Sequence, residues 1–283
     1  MGPHIHWYPG HMNKAKRVIQ ESIKLVDLVI EVRDARVPRS STNPEFVTLC
    51  KNKQRLILLN KEDLADPAMT QRWVDFFKSQ GMWVEAINCL DMNDINQLRK
   101  SIIQFAEERR RIVYQQKGIY KPTRAMVVGI PNVGKSTVIN GLAKSAKARV
   151  GDRPGVTRGK QWIRVHPYVE FLDTPGLLWP RAEDQTAMLH LAYIGSISDD
   201  VIDMVEVAVS FIDTLRGLYP QAIKKRYGIE DIEGMDGYSM LEAICLNQKW
   251  IRAGGNPDVD RGARQLLQDY RSGRLGALTL ETP

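Results

Sequence analysis

Apolar residues recur along this chain in two rhythms. Short runs rich in apolar residues, at 26–33, 55–60, 82–88 and 124–130, predict buried strands. Between them, apolar positions return every three or four residues and predict helices over 71–80, 95–112 and 133–143. A further strand is expected at 170–173, pairing antiparallel with 161–165 across a turn at His166 and Pro167. Strands alternating with helices predict an α/β fold, a mostly parallel sheet with helices on both faces. From about Arg181 only helical spacing continues, over 199–215, 239–252 and 261–272, broken by glycine-rich stretches at 234–237 and 254–257. The expected organisation is an α/β domain over 1–180 and a small all-helical domain over 181–283.

Composition narrows this picture. With 283 residues, 43% of them apolar, the chain can bury a large core and a small one, which argues against a disordered or fibrous protein. The longest apolar candidate, 25–32, is interrupted by Asp27 and Glu31, so no membrane span is expected. The opening MGPHIHWYPGHMNKAKR lacks the apolar centre of a secretion signal. Three cysteines, Cys50, Cys89 and Cys245, form no C-x-x-C pair and suit a reducing, cytoplasmic setting. Forty Lys and Arg against 33 Asp and Glu give a formal charge of +7, which favours a polyanionic partner.

The strongest local signal is Gly129-Ile-Pro-Asn-Val-Gly-Lys-Ser136, a G-x-x-x-x-G-K-S phosphate loop placed between a predicted strand and a predicted helix. Glycine lets backbone N–H groups wrap phosphates, Lys135 can reach the β and γ oxygens, and Ser136 can hold Mg²⁺. The expected contacts are Asn132, Val133, Gly134, Lys135, Ser136 and Thr137. By itself the loop leaves ATP and GTP both open.

Asn60-Lys61-Glu62-Asp63 decides between them, because it follows the strand at 55–60, where open α/β sheets bind ligands. Asp63 can accept from both N1–H and the exocyclic N2–H₂ of guanine, a donor pair that adenine lacks. Asp173-Thr-Pro-Gly176 follows the strand residues 170–172 and reads as a switch, with Asp173 directed to Mg²⁺ and Gly176 to the γ-phosphate. Thr157, in Arg153-Pro-Gly-Val-Thr-Arg-Gly159, is the expected second hydroxyl ligand of Mg²⁺.

These motifs resemble those of the translation-factor-like GTPases, but their order differs, since N-K-x-D here precedes the phosphate loop. That order is similar to the circularly permuted GTPases. Trp7-Tyr-Pro-Gly-His-Met12, Asp34-Ala-Arg-Val-Pro38, Ser41-Thr-Asn-Pro44 and Asp269-Tyr-Arg-Ser-Gly-Arg-Leu-Gly276 resemble the ribosome biogenesis GTPase A family over nearly the whole chain.

The resemblance implies a GTPase that acts on a late precursor of the large ribosomal subunit, contacts its rRNA and proteins, and leaves on hydrolysis, working as a monomer. It implies a further base-binding element at Asn88 and Cys89, where the family pattern is Ser-Ala, and a K⁺ ion placed near the phosphates by Asn132. The glutamine that orients water in Ras-type proteins is replaced here by Leu177. The resemblance points to His11 as the water-positioning group in its place. A second reading, a nucleotide-gated RNA-binding module that acts by occupancy, stays open because of Leu177. Basic residues cluster at Arg109, Arg110, Arg111, Lys117, Lys121 and Arg124, and again from Lys144 to Lys160 around Thr157.

Overall fold

Seven consecutive buried residues, Leu28–Asp34, form β1, the middle of a six-stranded sheet. Three of the seven are charged, and burial is tolerated because each has a partner. Glu31 pairs with Arg33 and Arg55, and Asp34 with Arg36. This computed structural model describes residues 20–42, 48–145, 162–172, 184–229 and 234–283.

The other strands are β2 (Gln54–Asn60), β3 (Trp83–Ile87), β4 (Thr123–Val128), β5 (Trp162–His166) and β6 (Val169–Leu172), in the order β3-β2-β1-β4-β6-β5. Every neighbouring pair is parallel except β5 with β6, the antiparallel hairpin expected from the sequence. All five parallel strands therefore end at one edge of the sheet.

Helices cover both faces, as β2 shows by alternation. Ile57 and Leu59 pack with Trp73 and Phe77 of α1 (Pro67–Ser79), whereas Leu56 and Leu58 face the larger cluster with Ile95 and Leu98 of α2 (Met92–Lys117). Asp66 and Asp91 cap these helices by accepting backbone N–H bonds, and Gly118 ends α2 in the left-handed region at φ 66°. Helix α3 (Lys135–Ser145) follows the phosphate loop.

Beyond residue 184 the described chain is helical: α4 (Gln185–Tyr193), α5 (Met204–Leu218), α6 (Pro220–Tyr227), α7 (Gly237–Asn247) and α8 (Val259–Arg271). Aspartates 184, 203, 236 and 258 cap four of the five. The main buried cluster runs without a break from Val127 and Phe171 of the sheet to Leu191, Phe211 and Leu266 of these helices. After α8 the chain returns to the sheet. Leu278 N–H donates to Leu64 O at 3.1 Å, Asp66 N–H to the Thr279 hydroxyl at 3.0 Å, Leu280 N–H to Arg36 O at 2.8 Å, and Trp73 Nε1–H to Glu281 O at 3.1 Å.

The α/β architecture expected from the sequence is the one observed. Helix α2 runs five residues past its expected end, and α4 and α6 were not expected. Helix α6 has eight residues and carries Lys224, Lys225 and Arg226, too short and too basic a stretch to display a period. The expected helix over 199–215 is two elements, a 3₁₀ turn Asp199–Val201 capped by Ser198 and α5 capped by Asp203. The expected boundary between residues 180 and 181 lies outside the described residues.

Candidate nucleotide-binding site

The strand ends bring the sequence motifs to one edge. Asn60 closes β2, Asn88 and Cys89 follow β3, and Gly129 to Ser136 follow β4. Asn60 is fully buried and its one amide joins all three, because Nδ2 donates to Val133 O at 2.7 Å and Oδ1 accepts from Cys89 N–H at 3.0 Å. The fit requires glycine beside it. Gly134 has φ +101°, and a Cβ there would stand 2.3 Å from Asn60 Nδ2, while one at Gly129 would stand 2.4 Å from Val32 O.

Lys61 takes the left-handed conformation at φ 63°, which swings its ammonium across to Asn132 O at 2.7 Å and Asp34 Oδ2 at 3.1 Å. Asp34 in turn holds Arg36 through two 2.8 Å bonds. Burial pushes the Asp34 carboxyl upward, but Arg36 and Lys61 outweigh it and hold it well below the ordinary carboxylate range. Arg36 Nη1 also donates to Tyr270 O at 3.2 Å and Arg271 O at 3.4 Å at the end of α8.

Arg271 continues the path to Tyr193 O at 3.0 Å, Ala192 O at 2.8 Å and the carboxylate of Asp199. The loop after α4 then closes it on the phosphate loop, since Asn132 Nδ2 donates to Gly195 O at 2.6 Å and the Ser196 hydroxyl to Pro131 O at 2.8 Å. The loop after β2, the phosphate loop and the helical segment thus share one closed circuit of polar contacts.

Lys135 is 8% exposed, and its ammonium folds back onto the Ile130 carbonyl with no carboxylate beside it among the described residues. Burial alone pulls it down to about 8. A buried cation at the start of α3, where backbone N–H groups are free of helical partners, forms an anion site. Ser136 is exposed in the first turn of α3 and has no partner among the described residues, so its hydroxyl can serve an oxygen-coordinated cation such as Mg²⁺. Val133 is buried, Thr137 half-buried and Asn132 exposed.

On the base side, Asp63 is exposed with its carboxylate unpaired among the described residues, as acceptance of two guanine donors requires. Burial, then Asp94 and Asp63, push the half-buried Glu62 carboxyl upward. The N–H groups at 88, 89 and 90 are taken by Asp94, Asn60 and the Asn88 side chain, so this expected base-binding element has no free backbone donor at those positions. His11, Thr157, Asp173, Gly176 and Leu177 lie outside the described residues. Leu172, the last described residue before Asp173, pairs with Met126 of β4 at this same edge.

Sequence reasoning gave Asp34 and Arg36 no role beyond a resemblance, and it missed Gly195 and Ser196 altogether. A buried aspartate two residues before an arginine, at the end of a strand, was the available signal for the first pair. Nothing local marks the second.

A buried lysine behind a glycine-lined loop, next to a strand end that carries N-K-E-D, defines a P-loop GTPase domain in which the guanine-recognition strand precedes the phosphate-loop strand. Residues 124–235 match the family model described as 50S ribosome-binding GTPase. The chain is 43% identical to the ribosome biogenesis GTPase A of Priestia megaterium, over 99% of this chain and 97% of that one. It is 35% identical to the mitochondrial ribosome-associated GTPase 1 of Mus musculus, over 97% of this chain and 89% of that one. Its fold is similar to the GNP-bound crystal structure of YlqF from T. maritima, with a TM-score of 0.65, 28% identity, and 95% and 98% of the two chains covered. The chain belongs to the ribosome biogenesis GTPase A family.

Proposed function

We propose that this protein hydrolyses GTP while assembling the large ribosomal subunit, binding a late precursor in the GTP state and leaving after hydrolysis. The observation that carries the reading is the Asn60 amide, which ties the N-K-E-D loop to Val133 of the phosphate loop two residues before the buried Lys135. The ribosomal target is supported by the names of the relatives.

In this reading Asp63 selects guanine, Asn60 and Lys61 set the loop that presents it, and Lys135 and the amides from Asn132 to Thr137 hold the phosphates. Ser136, Thr157 and Asp173 would hold Mg²⁺, whose charge stabilises the β- and γ-phosphate oxygens when bound. Gly176 senses the γ-phosphate, and His11 orients the attacking water in place of the absent glutamine. Residues 173–183 join the sheet edge to α4, and the loop after α4 holds Pro131 and Asn132. Loss of the γ-phosphate can therefore act on the helical segment from two sides. K⁺ near Asn132 is part of the proposal, carried by the carboxamide oxygen, since Nδ2 is spent on Gly195.

The test is GTP turnover with and without purified large subunits, in K⁺ and in Na⁺ buffers, for wild type and His11→Ala. Stimulation of about tenfold or more that His11→Ala abolishes, with GTP binding intact, is expected. No stimulation would favour the occupancy reading that Leu177 suggests. Stimulation that survives the substitution would move water positioning to the cation or the RNA, and equal rates in the two buffers would remove K⁺.

A further inference from the structure

At the opposite edge of the sheet stands a group of aromatic and basic residues that nucleotide chemistry does not use. Tyr120 precedes β4 by three residues, and Tyr168 lies in the turn that leads into β6. A strand of six residues separates these positions from the phosphate loop by roughly 20 Å at ~3.3 Å per residue. The guanidinium of Arg110, from α2, lies 4.2 Å from the Tyr120 ring centre and 4.3 Å from that of Tyr168. Tyr114, one helical turn further on, stacks on Tyr120 at 4.4 Å and 7°. Tyr114, Tyr120, Arg110 and Tyr168 thus form one continuous stack of planar groups beside a groove of about 350 Å³.

Two properties set this stack apart from core packing. Tyr114 and Tyr120 are 45% and 63% exposed, so the stack meets solvent although the two rings cover each other and Arg110 lies over Tyr120. The surrounding charge is also one-sided, because Arg111, Lys117 and Lys121 are exposed without a carboxylate partner among the described residues, and Glu107 is the one acid lining the groove. A solvent-exposed aromatic stack that ends at Tyr114, held in place by a guanidinium and bordered by free cations, suits a chain of unpaired bases, with a base extending the stack and phosphates meeting Lys and Arg. A duplex offers phosphates but keeps its base faces covered.

We propose that this edge is a docking platform for single-stranded RNA, engaged independently of the bound nucleotide. The choice of RNA rests on the ribosomal reading above, while the stacking chemistry stands on the geometry alone. Tyr114 and Tyr120 are the contact residues, and Arg110 positions Tyr120.

The test is fluorescence polarisation with a labelled oligouridylate of about twelve nucleotides, comparing wild type, Tyr114→Phe/Tyr120→Phe and Tyr114→Leu/Tyr120→Leu. The phenylalanine pair should bind like wild type, and the leucine pair about tenfold more weakly. A hairpin duplex of equal charge should bind less well than the single strand, and GDP or a non-hydrolysable GTP analogue should leave the single-strand affinity unchanged. GDP affinity, measured in parallel, should be equal in all three proteins, which checks folding and keeps this result separate from the GTPase reading. Equal RNA binding by the leucine pair, or tighter binding of the duplex, would overturn the platform. A polyglutamate peptide whose binding falls in the leucine pair while RNA binding does not would assign the face to an acidic protein instead.

Discussion

At the C-terminal edge of the sheet, Asn60, Asp34 and Arg36 are almost wholly buried and spend their polar atoms on one another and on neighbouring loops. At the N-terminal edge, Tyr114 and Tyr120 are exposed and touch through ring faces. Recognising one base among four needs donors and acceptors held to fractions of an ångström, and buried hydrogen bonds supply that precision. A stack on exposed rings accepts any base and tolerates movement. One sheet therefore carries a rigid reader at one end and a permissive surface at the other, so substitutions at the two ends should differ in kind.

The largest effect is expected at Asp34. Asp34→Asn leaves the Arg36 guanidinium buried without a counter-charge and frees Lys61, with an expected loss of about 3–5 kcal/mol in urea unfolding and weaker GDP binding. Unchanged unfolding would mean that the buried circuit is not what holds the reader together.

Lys135 should give an effect of nearly the same size through pH. Below about 8 the folded and unfolded chains both hold its proton, and the penalty for burying the charge is fully present. Between there and the ordinary value of 10.5, only the unfolded chain still holds the proton, so the penalty is relieved. Nucleotide-free protein should gain up to about 3 kcal/mol of stability as pH rises through this window, relative to Lys135→Met. A flat difference between the two proteins would place the lysine in water.

Ser196→Ala removes one bond to the phosphate loop and should lower stability by about 1 kcal/mol, with a measurable rise in the GDP off-rate. An unchanged off-rate would uncouple the helical segment from the nucleotide. At the permissive edge, Tyr120→Leu should change stability by less than about 0.5 kcal/mol and leave GDP binding untouched. A larger loss in either measurement would erase the contrast between the edges.

Strands and motifs were legible in the sequence because each is written locally. The parallel strands are short runs rich in apolar residues, and Asn60 to Asp63 and Gly129 to Ser136 are contiguous segments. Short basic α6 was not legible, since tertiary packing of Ala222, Ile223 and Tyr227 rather than a periodic pattern sustains it. Nor was the circuit through Asp34, Arg36, Arg271 and Gly195, whose members are distant in sequence and meet only in the folded chain. Asn132 was read for its place beside the phosphates, and the structure adds a bond from its side chain to the helical segment.

The segment from Leu278 to Glu281 that lies against the chain just after β2 has a temporal meaning. Asp66 and Thr279 are 213 residues apart in sequence, yet one hydrogen bond joins them. During synthesis the loop after β2 leaves the ribosome 213 residues before the segment that clasps it. Loop closure over such a span adds little to the equilibrium penalty but delays the contact. The nascent chain must therefore pass through a stage in which this loop exists without its clasp, and the clasp forms only once residues 278–281 have been made.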